Sequence, residues 1–231
     1  MLGRPAAVGF DLDGTLFDHR ASAAEAASAF LRSLGARPDG RALDVWFRAE
    51  AVRFEQWRRG ELDFAGQRRA RLRDVMGELG LGAPRSDAVA DAAFARYLAA
   101  YRAAWRAFDD ARAALDGLRA EGVRVGILTN GVEAQQRDKL AVIGLLDRVD
   151  ALCASETIGV AKPDVRAFER LAAELGVAPA SMAFVGDDPE KDLAGATAAG
   201  MRAALVAPAR GSTSAGLADA LAAVGLPIDA P

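Results

Sequence analysis

Asp11, Asp13 and Asp187 each follow a short apolar run, and three carboxylates brought to one point would call for a cation. Asp11 and Asp13 stand in Asp11-Leu12-Asp13-Gly14-Thr15 after the run Ala7–Phe10, and Asp187 stands in Gly186-Asp187-Asp188 after Met182–Val185. Val123–Leu128 leads into Thr129-Asn130-Gly131, and Lys162-Pro163 follows Val149–Cys153 by a short loop. One such ending would mean little, since Asp, Asn and Gly are common turn residues. Four of them at the ends of strands have a shared destination, because ligands of open α/β sheets sit beyond the carboxyl ends. Oxygen ligands in this number suit Mg²⁺, which keeps waters and shares a phosphate oxygen. Lys162 can then contact both a phosphate and Asp11, while Thr129 and backbone N–H groups near Asn130 hold the other oxygens. A carboxylate is a competent nucleophile toward phosphorus. Asp13, two residues on, can protonate a leaving alcohol and later activate water. Together they make a complete phosphoryl-transfer site.

The elements that must position these residues are legible as patterns. The five apolar runs, ending with Ala203–Val206, are nearly continuous, as in parallel strands buried on both faces. Helical patterns at Glu133–Ile143, Asp164–Gly176 and Asp192–Ala199 separate the later runs, so an α/β sheet with right-handed crossovers is expected. The stretch from Phe10 to Val123 is far longer than one crossover needs. It carries amphipathic stripes: Ala27, Phe30, Leu31, Leu34; then Leu72, Val75, Met76, Leu79; then Phe94, Tyr97, Leu98, Tyr101, Trp105. A less regular helix lies around Leu43–Arg58. The expected architecture is a Rossmann-like parallel sheet core, residues 1–17 and 107–231, with an inserted α-helical bundle at 18–106. Asp109–Asp110 is expected to cap the helix that returns to the second strand.

Taken together and in order, these motifs resemble those of the haloacid dehalogenase superfamily. The likeness rests on Asp11-Leu12-Asp13-Gly14-Thr15-Leu16, Leu128-Thr129-Asn130-Gly131, Ala161-Lys162-Pro163-Asp164 and Val185-Gly186-Asp187 with Asp192 five residues on. It implies Asp11 as nucleophile and Asp13 as acid/base, with the Asp13 backbone carbonyl also on Mg²⁺. It further implies Asp187 as the third metal ligand in preference to Asp188, Thr129 and Asn130 on phosphate, and Lys162 neutralising charge. Asp192 would orient a metal-bound water or Lys162 from outside the ligand shell. The helical insert resembles that family's cap. Its stretch Trp57-Arg58-Arg59-Gly60-Glu61-Leu62, before an arginine-rich helix, is similar to the branch of pyrimidine nucleotidases and N-acylneuraminate phosphatases.

Composition narrows the alternatives. The 52% apolar and 26% charged residues describe a folded globular chain, and a net charge of -3 gives no case for a nucleic-acid polymer as partner. No apolar run reaches membrane-spanning length and Met1–Phe10 is too short for a signal peptide, so a cytoplasmic protein acting away from membranes is expected. The single cysteine, Cys153, reads as a buried small hydrophobe. His19, the one histidine, and Asp18 read as loop and capping residues, so zinc and histidine-base mechanisms lack material. Lysine is confined to Lys139, Lys162 and Lys191, among arginines everywhere else. Lys162 is the one singled out for chemistry; Lys191 reads as solvated.

The expected activity is Mg²⁺-dependent hydrolysis of a small phosphorylated metabolite, a nucleotide or sugar phosphate, through an aspartyl-phosphate. A dehalogenase would not need Asp13 as an acid, because halide leaves without a proton. A phosphosugar mutase would need a proton-moving residue in the insert, and none is identifiable. A phosphoacceptor switch is about half this length and lacks an insert. The insert holds 16 Arg against 12 Asp and Glu, so Arg53, Arg58 and Arg71 are candidates to meet an anionic substrate. Its aromatic stripe reads first as the bundle's own core.

Overall fold

The computed structural model describes residues 3–208 and 212–228. The chain divides into two compact units, one running up to His19 and again from Trp105 onward, the other spanning Arg20–Ala104.

The first unit is built on a five-stranded parallel sheet of order β3-β2-β1-β4-β5. Its strands are β1 (Ala7–Phe10), β2 (Arg124–Thr129), β3 (Ala151–Ala154), β4 (Met182–Gly186) and β5 (Arg202–Leu205). Each lies within two residues of an apolar run in the sequence. β1 is central, and Phe10 pairs with Ile127 on one side and Val185 on the other. The residues after Phe10, Ile127 and Val185 therefore leave the sheet at the same level. Strand order reverses at β1, which opens a crevice at that edge.

Helices α5 (Ala111–Ala120), α6 (Glu133–Val142), α7 (Ser155–Ile158) and α8 (Val165–Glu174) connect the strands of this unit. α8 shows how the crossovers are held: Ala167, Phe168, Leu171 and Ala172 are buried, and Phe168 meets Phe184 edge-on at 5.0 Å. Fully burying side chains of this size stabilises by about 1.5–3 kcal/mol each. Cys153 lies in the same cluster, 2% exposed.

After β4 the helix expected to begin at Asp192 begins earlier. A wide turn spans Pro189–Ala194 and continues into α9 (Gly195–Ala198). Asp188 accepts from the N–H groups of Glu190 and Lys191, while Pro189, which has no N–H to satisfy, sits first in the turn. The Leu193 N–H reaches back to the Asp188 carbonyl, five residues away, and this widening sets Asp192 against the chain at Gly186.

The other unit is a bundle formed by α1 (His19–Ser33), whose first residue belongs to the sheet unit, α2 (Gly40–Arg58), α3 (Phe64–Glu78) and α4 (Asp87–Ala103). Its aromatic stripe is core: Trp46 and Tyr97 stand 4.5 Å apart, with Phe30 and Tyr101 against Tyr97. Trp105 departs from the stripe. α4 stops at Ala103, and Trp105 packs edge-on against Phe17 in the sheet unit. The two strands of chain that lead into and out of the bundle run side by side, joined by the Phe17–Ala107 bridge and the Asp18 N–H to Arg106 carbonyl bond.

Two features of the sheet unit differ from expectation. A further helix, α10 (Leu217–Ala223), follows β5; its sequence is alanine-rich with no polar face to mark a period. Asp110 stands at the start of α5 but its side chain does not cap that helix. It accepts instead from the N–H groups of Ala215, Gly216 and Leu217 and from the Ser214 hydroxyl, at 2.8–3.0 Å, so it seats the first turn of α10. Burial would raise this carboxyl, but those donors hold it below its ordinary value. Asp110→Ala should therefore cost about 2 kcal/mol in denaturant unfolding. A depressed carboxyl contributes stability above its unfolded pKa and loses it as pH falls through the folded value. The gap between wild type and variant should thus close below roughly pH 4.

Candidate active site

The carboxyl ends of β1, β2 and β4 bring together most of the residues singled out from the sequence. Lys162 is at the centre, 2% exposed, with its Nζ 2.6 Å from Asp11 Oδ1 and 2.6 Å from Asp192 Oδ1. The Asn130 side chain holds the Lys162 main chain from both directions: its Oδ1 accepts from the Lys162 N–H at 2.8 Å, and its Nδ2 donates to the Lys162 carbonyl at 2.9 Å. The amide expected to face phosphate is thus spent on placing Lys162. Thr129 is 2% exposed at the end of β2, and its hydroxyl makes no hydrogen bond among the described residues.

Asp11, Asp187 and Asp192 each offer a carboxylate oxygen, and these oxygens all lie within 4.8 Å of one another. The approach of Asp187 depends on Gly14, whose φ of +98° suits glycine and whose bare Cα leaves room for that carboxylate. Asp192, 1% exposed, uses both oxygens inside the protein. One takes Lys162; the other accepts from the Asp187 and Asp188 N–H groups at 3.1 and 3.0 Å. Asp188 is turned to its own helix and to Lys191, 2.7 Å away, which leaves Asp187 as the carboxylate facing Asp11. Lys191 is open to solvent as expected, its side chain 42% exposed, and also ion-pairs with Asp188.

One ammonium among three carboxylates leaves negative charge in excess. Burial, with Asp192 and Asp187 adding to it, pushes the Asp11 carboxyl up to about 8 against the pull of Lys162. Burial and Asp192 likewise push Asp187 up to about 6. Burial would lower Lys162, but Asp11 and Asp192 outweigh it and hold the ammonium charged. A set of carboxylate oxygens with unmatched charge, Asp11 buried and Asp187 open to solvent, fits a hard divalent cation such as Mg²⁺. Asp11 and Asp187 have the oxygens to offer it.

The Asp13 carboxylate is not in this cluster. It points to α6, where Lys139 Nζ lies 2.5 Å from Oδ1 and Gln136 Nε2 lies 3.2 Å from Oδ2. Burial would raise this carboxyl, but Lys139, His19 and these hydrogen bonds hold it below the usual range. His19 Nδ1 stands 3.9 Å from Asp13 Oδ1, so the histidine borders the site from the start of α1. Lys139 and Gln136 were not singled out from the sequence. The signal was present: the scarcity of lysine that marks Lys162 applies equally to Lys139, and Gln136 lies one turn before it.

The cation-rich insert looks different in three dimensions. Arg53 is bidentate on Asp74, Arg58 pairs with Glu55, and Arg71 is buried against Glu50 with its guanidinium 4.6 Å over the Trp46 ring. Arg53 and Arg71 thus tie α2 to α3, while Arg58 pairs within α2, and each already has a carboxylate partner.

Asp11 carries the clearest stability consequence. A carboxyl whose folded pKa lies above its unfolded value binds its proton more tightly when folded, so stability falls as pH rises between the two. In chelator, wild type should lose stability steadily relative to Asp11→Asn as pH rises from 5 to 8. Saturating Mg²⁺ should remove most of that loss. Parallel denaturation curves for the two proteins would contradict the charge imbalance.

Comparisons with known proteins place the chain in a family. A sequence model of the haloacid dehalogenase-like hydrolases matches residues 5–200. A phosphoserine phosphatase of Thermus thermophilus is 37% identical over 144 residues, 62% of this chain and 56% of that protein. A ribulose-1,5-bisphosphate 5-phosphatase of Halopiger xanaduensis is 37% identical over 145 residues, 62% of this chain and 59% of its own. The chain thus matches little more than half the length of these relatives. Among solved structures, the HAD-hydrolase YfnB of Bacillus subtilis, bound to magnesium, superposes with a TM-score of 0.76 at 19% identity, covering 88% of this chain and 89% of that one. The L-2-haloacid dehalogenase of Xanthobacter autotrophicus gives 0.68 at 28% identity, covering 89% and 78%. No helix among the described residues is long and apolar enough to cross a membrane. With its four motifs meeting at one sheet edge and a family match over residues 5–200, the chain belongs to the haloacid dehalogenase-like hydrolases.

Proposed function

We propose that the protein is a Mg²⁺-dependent phosphatase of small phosphate monoesters that works through an aspartyl-phosphate on Asp11. The observation that carries this reading is a second carboxylate, Asp13, two residues beyond Asp11 and oriented separately from the cluster around Lys162. A dehalogenase, the activity of the Xanthobacter neighbour, has no use for an acid beside its nucleophile.

Asp11 and Asp187, with the Asp13 carbonyl, would hold Mg²⁺, which when bound offsets carboxylate and phosphate charge. Asp11 attacks phosphorus through a carboxylate oxygen, forming the acyl phosphate as the ester P–O bond breaks. Asp13, which must first take up a proton against the pull of Lys139, gives that proton to the departing alcohol oxygen. It then takes a proton from water as the water oxygen attacks phosphorus and the Asp11–phosphorus bond breaks. Lys162 neutralises the phosphoryl oxygens throughout, and Asp192 fixes its ammonium. The Thr129 hydroxyl donates to a phosphoryl oxygen, while Asn130 acts through the main chain of Lys162.

Turnover of p-nitrophenyl phosphate should require Mg²⁺, stop in chelator, and fall at least about 10³-fold in Asp11→Asn. Ca²⁺ should not restore it, since it takes more ligands at longer distances. Wild-type-like turnover in the variant would remove Asp11 as nucleophile. Metal-independent chloride release from 2-chloropropionate would favour the dehalogenase.

The relatives named for phosphoserine and ribulose-1,5-bisphosphate point toward small esters bearing further charge.

A further inference from the structure

Helix α6 buries two polar side chains that its packing against the sheet does not call for. Lys139 is 3% exposed and Gln136 is 4% exposed. Removing an ammonium from water costs several kcal/mol, on the order of a whole domain's margin, unless a partner offsets it. That partner is Asp13, and the two side chains divide its carboxylate between them, Lys139 on Oδ1 and Gln136 on Oδ2. The Lys139 ammonium also stands 4.8 Å above the Phe17 ring, so it is bounded on a second side. Gly131 completes the arrangement. A Cβ there would overlap the Gln136 amide, so the glycine after Asn130 clears the path by which Gln136 reaches Asp13. Gln136 Oε1 meanwhile has no hydrogen-bond partner, a cost accepted to keep the amide N–H on the carboxylate.

We propose that Lys139, with Gln136, is the positioning residue of Asp13. It fixes the direction in which that carboxylate gives and takes the proton. The inference rests on the phosphatase reading and extends it by one layer of residues. Lys139 touches neither the phosphoryl group nor the leaving alcohol. Its effect reaches them through the aim of a single carboxylate held at both oxygens, and proton transfer in a site is steep in that geometry.

Esters that differ in their need for a proton read this directly. The leaving group of p-nitrophenyl phosphate departs as an anion, whereas an alkyl phosphate must be protonated as its bond breaks. For Lys139→Met we expect kcat/KM on an alkyl phosphate to fall about 10–100-fold further than on p-nitrophenyl phosphate. Lys139→Arg should recover part of the difference. Gln136→Leu should lose in the same direction but less, and it carries the same comparison should Lys139→Met fail to fold. Melting temperatures recorded alongside separate stability from rate. Equal losses on both esters, or none on either, would overturn the proposal and leave Lys139 a structural ion pair. Wild type that turns over neither ester would instead overturn the phosphatase reading and this inference with it.

Discussion

The site depends on one ammonium shared by two buried carboxylates. Lys162 lies between Asp11 and Asp192 at equal distances, nearly sealed from solvent. Buried charges are tolerated only when paired and hydrogen-bonded, and removing one member strands the others. Each neighbour of Lys162 can be understood from that requirement. Asn130 grips its main chain, so the ammonium cannot drift along its loop. Asp192 spends its second oxygen on the N–H groups of Asp187 and Asp188, so the anchor of the lysine also sets the turn that aims Asp187. The charge still left over is what a divalent ion would meet.

The fold supplies this with little freedom to vary. β1 is the central strand, and its neighbours β2 and β4 carry the other motifs at matching register. A slip of one residue in either pairing would point Asp11 or its partners to the opposite face of the sheet. Buried strands of this kind are fixed by packing on both sides, which makes the sheet a rigid base for loops that must meet within a few ångströms.

Much of this was legible from residue types alone. Parallel strands buried on both faces announce themselves as unbroken apolar runs, and Asp11, Thr129, Lys162 and Asp187 stand directly after them or a short loop beyond. What stayed hidden was pairing at a distance. Asp110 looks like any helix cap until the loop at 214–217, a hundred residues later, is brought against it. Trp105 continues a helical period on paper, but α4 ends before it and the ring has Phe17 to pack against. Arg53, Arg58 and Arg71 look like spare charge in a count, because a net total cannot show that each has found a carboxylate within the bundle. Lys139 was open to the same reasoning as Lys162 and lacked only the neighbouring motif that drew attention to the latter. All three lysines lie against aspartates of these loops, a pattern that becomes visible only in three dimensions.

The paired chain segments at Phe17–Asp18 and Arg106–Ala107 bear on how such a protein can change over time. Where a chain leaves a sheet and returns beside the point of departure, the excursion is a closed loop from the sheet's point of view. The entropy of closing a loop grows only with the logarithm of its length, about 0.6 kcal/mol per doubling. Closing off the whole bundle therefore costs β1 only about 2–3 kcal/mol more than closing a short turn. Large insertions can be gained, lost or exchanged at this junction while the strand ends that carry the chemistry stay where they are. The catalytic sheet and the inserted bundle can thus diverge at separate rates within one gene.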